Sequence, residues 1–456
     1  MVNLDLGAVE VVNKLQARGY QAYLVGGCVR DLVLKRAIKD VDIATSALPE
    51  EVMAIFPRTV PTGLQHGTVT VILKRGTYEV TTFRKESQYE EFRRPKEVEY
   101  IQSLEEDLKR RDFTMNAMAM DSSGTLIDPF DGQKDLEAGV LRCVGLAEER
   151  FGEDALRMLR CIRFASTYGL TIEAKTWEAL LQQAPLLRHI AMERVHSELT
   201  RMVEGAAPAR AARLLLASRL WLHFKSQLEL PFERWLAHPG ALDAVSALAE
   251  QHTRWVLLLL LLETPSDGVR TALQELKFSR AQTDAVVTVL SLHEWLSEHL
   301  TPAAERAGEV DPPAASCAEG LIDPSVAGRI WKLGAVRHGT PAAKAWLQVM
   351  RVVPAPEALV RLPQGGPDKG LADPAERIGR SWPSLLLERG EAWLHEMPCA
   401  SLKELAVTGG DLATALERAA GPWLGRLLQE LLEKAAVGEL ANEREALLQA
   451  VTQIVK

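Results

Sequence analysis

The chain is poor in cysteine. Its five, Cys28, Cys143, Cys161, Cys317 and Cys399, are scattered, odd in number and never in CxxC spacing. That pattern excludes a disulfide framework and a zinc knuckle, and reads as reduced thiols in a cytoplasmic protein. Long apolar runs are also missing. The longest, Trp255 to Leu262, falls far short of the roughly 20 residues that span a bilayer, so no membrane segment is expected. The opening MVNLDLGAVEVV carries acids where a signal peptide carries lysines, which speaks against secretion. Nor is positive charge in excess. The 53 Lys and Arg against 61 Asp and Glu leave a net charge of -8, which argues against a general nucleic-acid coat while permitting a local basic surface. No Ser/His/Asp or Cys/His arrangement stands out, so no side-chain nucleophile is expected.

What is present is an ordinary polar and apolar balance, 47% hydrophobic and 25% charged over 456 residues. A prior of about 150 residues per domain gives roughly three units. Up to about residue 145 the chain mixes β and α signals. Ala22 to Gly26, Val41 to Thr45, Val69 to Leu73 and Tyr78 to Phe83 are short β-rich runs, with Lys74-Arg75-Gly76-Thr77 as a hairpin turn. Met118 to Met120 and Thr125 to Ile127 read as a second hairpin. The fold class expected is therefore multidomain α and β: a small mixed sheet with flanking helices, then an all-α remainder, because past Glu148 Leu/Ala/Glu/Arg-rich helical periodicity takes over. Thr301 to Ser316 and Val353 to Pro374 interrupt it and read as linkers or surface loops.

The most informative stretch is LVGGCVRD, Leu24 to Asp31, followed nine residues later by Asp40-Val41-Asp42. Gly26 and Gly27 let backbone amides approach phosphate oxygens, and a helix start adds a favourable dipole for an anion. Residues two apart on a strand share a face, so Asp40 and Asp42 are candidates to hold Mg2+ together. A basic group, Lys109-Arg110-Arg111, lies downstream. It is either a solvated face or, through Arg111, a phosphate or sugar contact. A third group runs from Glu153 to Phe164. On one continuous helix Asp154, Arg157, Arg160 and Arg163 fall within about half the circumference, and Ala155, Met158, Leu159, Ile162 and Ala165 on the other half. Asp154 there serves either as an ordinary first-turn acid paired with Arg157, or as half of a base-reading pair. Cytosine and adenine both present an exocyclic amine beside a ring acceptor. An Asp/Arg pair accepts from that amine and donates to that acceptor, and mismatches uracil and guanine.

These segments together, LVGGCVRD, KDVDIATSALPEEV, LKRRDFTMNAMAMD, IDPFDGQKDL and RFGEDALRMLRCIRF, resemble the class II tRNA nucleotidyltransferases, and specifically the CCA-adding enzymes of Gram-positive bacteria. The likeness is close over about the first 170 residues and resumes in ELAVTGGDL and GPWLGRLLQELLEKAAVGELANERE. The resemblance implies a nucleotidyltransferase head over residues 1–148, a neck over 149–215, a helical body over 216–352 and a tail over 353–456. It implies stepwise addition of C, C and A to the tRNA 3′ end from CTP and ATP, with no nucleic-acid template. It carries metal binding and catalysis onto Asp40 and Asp42, triphosphate contacts onto Gly27 and Arg30, and nucleotide contacts onto Arg111, Asp154, Arg157, Arg160 and Arg163. Implied partners are the acceptor and TΨC arms of tRNA, with Arg201, Arg210, Arg213 and Arg219 as candidate contacts; a homodimer is left open. Glu79 stays outside the expected site, as either a third carboxylate or an exposed strand glutamate.

Relatives of this kind add CC only, A only, or poly(A). Arg84 to Pro95 sits where the family has a flexible loop that permits the switch from C to A, and CC-adding relatives lack it. The basic-hydrophobic signature of poly(A) polymerases is not found after the DxD strand. The 10 histidines form no His-Asp dipeptide, which speaks against an appended phosphohydrolase domain. Addition of A alone to tRNA ending in CC stays open as the alternative, with poly(A) synthesis behind it.

Overall fold

The computed structural model describes residues 4–38, 40–90, 94–301, 323–360 and 381–454, without the side chains of 86–98 and 453–454. Lys39, Cys317 and most of the two expected loop stretches, 302–322 and 361–380, lie outside the described residues. The chain divides into two compact units, Met1–Leu228 and Glu229–Lys456.

The first unit is built on a seven-stranded sheet. Its strands are β1 (Ala22–Val25), β2 (Asp42–Thr45), β3 (Thr59–Gly63), β4 (Thr68–Leu73), β5 (Gly76–Thr82), β8 (Ala119–Met120) and β9 (Leu126–Ile127), in the order β3-β4-β5-β2-β1-β8-β9. Only β2 and β5 run parallel; every other neighbour is antiparallel. The expected runs become β1, β2, β4 and β5, and the first hairpin closes with Leu73 opposite Gly76. The second hairpin is set by Asp121, whose Oδ1 accepts from the backbone N–H groups of Ser123 (2.9 Å) and Thr125 (2.8 Å). Val11, Leu15, Leu24, Ile43, Val69, Val71 and Val80 are fully or almost fully buried, as alternation on the strands and i, i+4 spacing on the helix Leu6–Gln16 require.

Three differences stand out. The stretch Arg84 to Pro95, expected as a loop, forms a ribbon of β6 (Arg84–Glu90) and β7 (Arg94–Tyr100), paired from Arg84↔Tyr100 to Glu90↔Arg94. Its root explains this: the Ile101 N–H donates to the Phe83 carbonyl at 3.0 Å, holding the two chain ends at ladder spacing where β5 leaves the sheet. Residues 91–93 lie outside the described residues. Strand β3 carries Pro61 and sits at the sheet edge, where a missing N–H is tolerated. Lastly, the α-only expectation past Glu148 is broken by β11 (Thr171–Ile172), which pairs in parallel with β10 (Val140–Leu141).

The second unit is helical throughout its described residues. Its core stacks Trp346 on Trp382, with ring centroids 5.8 Å apart, and tilts Trp331 against Trp346. A separate apolar cluster of Leu412, Leu427, Leu431, Leu432, Leu447 and Val451 organises the end of the chain.

Candidate active site

Strand register brings the first motifs together. Val25, the last residue of β1, stands opposite Asp42, the first of β2, so the Gly26-Gly27 turn leaves the sheet at the end where Asp42 begins. Across the parallel ladder Asp42 is in register with Glu79 of β5, which puts the two carboxylates side by side on one face. Gly26 has φ 71° and ψ -129°, and a Cβ there would lie 2.8 Å from Nη1 of Arg111. Both facts call for glycine. The turn is tied down by its own N–H, which donates to the Met118 carbonyl at 3.3 Å.

Asp40, Asp42 and Glu79 are all exposed. The Asp42 carboxyl is nevertheless held above the usual carboxylate range. Surrounding protein withdraws part of its water, the Arg111 guanidinium opposes that effect, and the negative charges of Glu79 and Asp40 reinforce it. Arg111 is steered by the Asp107 carboxylate (3.4 Å) and the Asn116 carbonyl (3.5 Å). Its Nε is buried and has no hydrogen-bond partner among the described residues. Arg30 lies behind the turn, its Nη2 3.4 Å from where a Gly27 Cβ would be. It is buried, forks onto Asp31, donates to Asn116 Oδ1 at 2.6 Å and stacks over Tyr168 at 4.4 Å.

The third group departs from the expected single helix. The helix Ala147–Glu153 stops, Asp154 is extended at φ -138° and ψ 101°, and a new helix runs Leu156–Tyr168. Asp154 itself supplies the reason: its Oδ1 accepts from the Leu156 N–H at 3.1 Å, a local bond that competes with helix continuation. The carboxylate is gripped by Arg194, Nη1 to Oδ1 at 3.1 Å and Nη2 to Oδ2 at 2.6 Å. Arg157 pairs with Glu153 at 2.6 Å and donates to the carbonyls of Arg150 and Arg110. Arg160 holds Asp112 at 2.7 Å, and Arg163 holds the buried Glu198 at 2.6 Å while lying over the Phe164 ring. Burial alone would raise the Asp112 carboxyl; the Arg160 charge, the Asn116 hydrogen bond and the Arg157 charge overturn that and bring it to about 2. Burial likewise lowers Arg163, with Glu198 opposing.

The expected residues thus fall into two sets within the first unit. Gly27, Arg30, Asp42 and Arg111 gather around the turn; Arg157, Arg160 and Arg163 line the second helix, with Asp154 just ahead of it. Arg30, Asn116, Asp112 and Arg160 link the sets as a chain of hydrogen bonds. Four participants escape a reading of the motifs alone: Asp112, Asn116, Arg194 and Glu198. The first two lie inside LKRRDFTMNAMAMD, and Glu198 is an acid on the apolar face of Met192–Glu204, beside buried Val195, Leu199 and Met202. An acid in that position was the available signal.

Comparison with known proteins bears on the same segments. Residues 22–142 match the family model described as "Poly A polymerase head domain", 169–230 the one described as "Probable RNA and SrmB- binding site of polymerase A", and 387–451 the one described as "tRNA nucleotidyltransferase domain 2 putative". The chain is 36% identical over 439 residues to a CCA-adding enzyme of Bacillus cereus, covering 96% of each chain, and equally similar to one from Bacillus mycoides. Among solved structures, the Bacillus stearothermophilus CCA-adding enzyme in complex with CTP is 34% identical, with a TM-score of 0.72 over 98% of this chain and 96% of that one. At this identity over nearly the full length of both chains, the protein belongs to the CCA-adding enzymes, a family of nucleotidyltransferases.

Proposed function

We propose that this protein completes tRNA 3′ ends, adding C, C and A in turn from CTP and ATP with no nucleic-acid template and releasing pyrophosphate, in tRNA maturation and repair in the cytoplasm. The observation that carries the reading is the meeting of Asp42, Glu79, Arg111 and the Gly26-Gly27 turn at one end of the sheet. In this reading residues 1–148 form the catalytic head, 149–215 the base-reading neck, and 216–352 and 353–456 a body and tail that hold the tRNA acceptor and TΨC arms.

The acidic end suits Mg2+. Partial burial, reinforced by the charges of Glu79 and Asp40, raises the proton affinity of Asp42, and a hard divalent cation takes such oxygens together with substrate phosphates and water. Asp40 and Asp42 would hold the ion. When bound, it neutralises the triphosphate and makes the tRNA 3′-hydroxyl more acidic. The protein's own part is positional: the Gly26-Gly27 backbone and Arg30 shape the phosphate cradle, and Arg111 brings a positive charge beside Asp42. The 3′-oxygen forms its bond to the α-phosphorus as the bond to the pyrophosphate oxygen breaks. Asp154 and Arg157 read the base edge, and Arg160 and Arg163 complete the nucleotide pocket.

The test is a tRNA transcript ending at the discriminator base, incubated with protein, Mg2+ and labelled CTP or ATP, singly and together. Two C with CTP alone, and CCA with both, is the expected outcome. ATP uptake confined to tRNA already ending in CC would replace it with A-only addition, and unlimited A addition with poly(A) synthesis.

A further inference from the structure

One helix, Met192–Glu204, backs the whole base-reading segment. Arg194 and Glu198, four apart and so on the same face, reach Asp154 and Arg163 respectively. Glu198 is 2% exposed and also faces Arg160 at 4.0 Å and Arg201 at 3.5 Å. Arg194 is placed differently: its target is an acid whose side chain remains 18% exposed.

The lone pairs of Asp154 can be counted. A carboxylate offers about four acceptor positions. Oδ1 takes two donors, Arg194 Nη1 and the Leu156 N–H, and Oδ2 takes one, Arg194 Nη2. The open position is therefore on Oδ2. The two-point contact of a planar guanidinium fixes the carboxylate plane as well as its place, which a single charge cannot do.

We infer that Arg194 is a specificity-positioning residue: by forking onto Asp154 it leaves only Oδ2 open, aimed to accept the exocyclic amine shared by cytosine and adenine. This rests on the base-reading role of Asp154 proposed above. Without Arg194 the carboxylate rotates, and the penalty against the carbonyl of uracil at that position weakens.

The test compares Arg194→Ala, Arg194→Lys and Asp154→Ala in the full chain, using tRNA ending at the discriminator base and measuring kcat/KM for the first CTP or UTP added, with thermal unfolding of each variant alongside. Arg194→Ala should raise the UTP-to-CTP ratio by about 10–100-fold, the scale on which small misplacements act. Arg194→Lys, with one ammonium for two oxygens, should fall between it and the parent, and it carries the test if the alanine variant does not fold. In the Asp154→Ala background, Arg194→Ala should change the ratio no further. Equal loss for CTP and UTP in the Arg194 variants, with selection relaxed in Asp154→Ala, overturns the inference alone. Strict selection retained in Asp154→Ala overturns the base-reading role of Asp154 and the inference with it.

Discussion

Asp42 stands first on its strand, opposite the residue before the Gly26-Gly27 turn and in register with Glu79. Replacing it by alanine removes a central acid while leaving the sheet's apolar contacts intact. Asp42→Ala should lower nucleotide transfer at least about 10³-fold, measured in single turnover, with tRNA affinity by fluorescence anisotropy unchanged. Asp112 makes a different prediction, because it is buried and its partners are arginines. Its carboxyl falls from 3.8 to about 2, so its stabilising effect is complete above 3.8 and is lost as pH falls from there towards 2. Asp112→Asn should cost about 2–4 kcal/mol at neutral pH, since it also strips Arg160 of its closest counter-charge. In urea melts the gap to the parent should close between pH 4 and pH 2. The sequence made Asp42 legible, because two acids two apart after a glycine turn have few other uses. Asp112 was not legible, since its meaning lies in Arg160, 48 positions later in the chain.

Elements were legible where local chemistry decides them and illegible where distant pairing does. Short β-rich runs announced β1, β2, β4 and β5, and a Pro-bearing edge strand gave no such signal for β3. The break before Leu156 depends on one side-chain-to-backbone bond at Asp154, which helical periodicity does not register. The β6–β7 ribbon is the clearest case. Its charged sequence reads as a connector, yet its two ends are joined at Phe83 and Ile101 and its backbone is laddered. The ribbon is tied at its root by the bond between Ile101 and Phe83 and continues from strand β5, which carries Glu79; it is the candidate for a part that changes position between C and A addition. Excising Glu86 to Val98 should leave addition of two C within about threefold of the parent and stop the product there; gel resolution of labelled tRNA ends reads this directly. Unchanged CCA addition by the shortened chain would remove the ribbon from the switch.

At the scale of the molecule, a net charge of -8 and a nucleic-acid substrate are compatible because charge is distributed by site. In the first unit Arg111, Arg157, Arg160, Arg163 and Arg194, the arginines of the proposed nucleotide site, are each paired with an acid that fixes its direction. The second unit was legible in character only. Its helices follow from Leu/Ala/Glu/Arg periodicity, whereas the stacking of Trp346 on Trp382 joins residues 36 positions apart and has no local signature. The four described cysteines are free and buried, and burial raises all four thiols, Cys28 to about 11. The central claim is that the protein itself stands in for a template, and the base products of Arg157→Ala test it most directly. With all four nucleoside triphosphates supplied to tRNA lacking its 3′ end, sequencing of the products should show U and G entering where the parent adds only C and A. Products that remain strictly CCA would contradict the account.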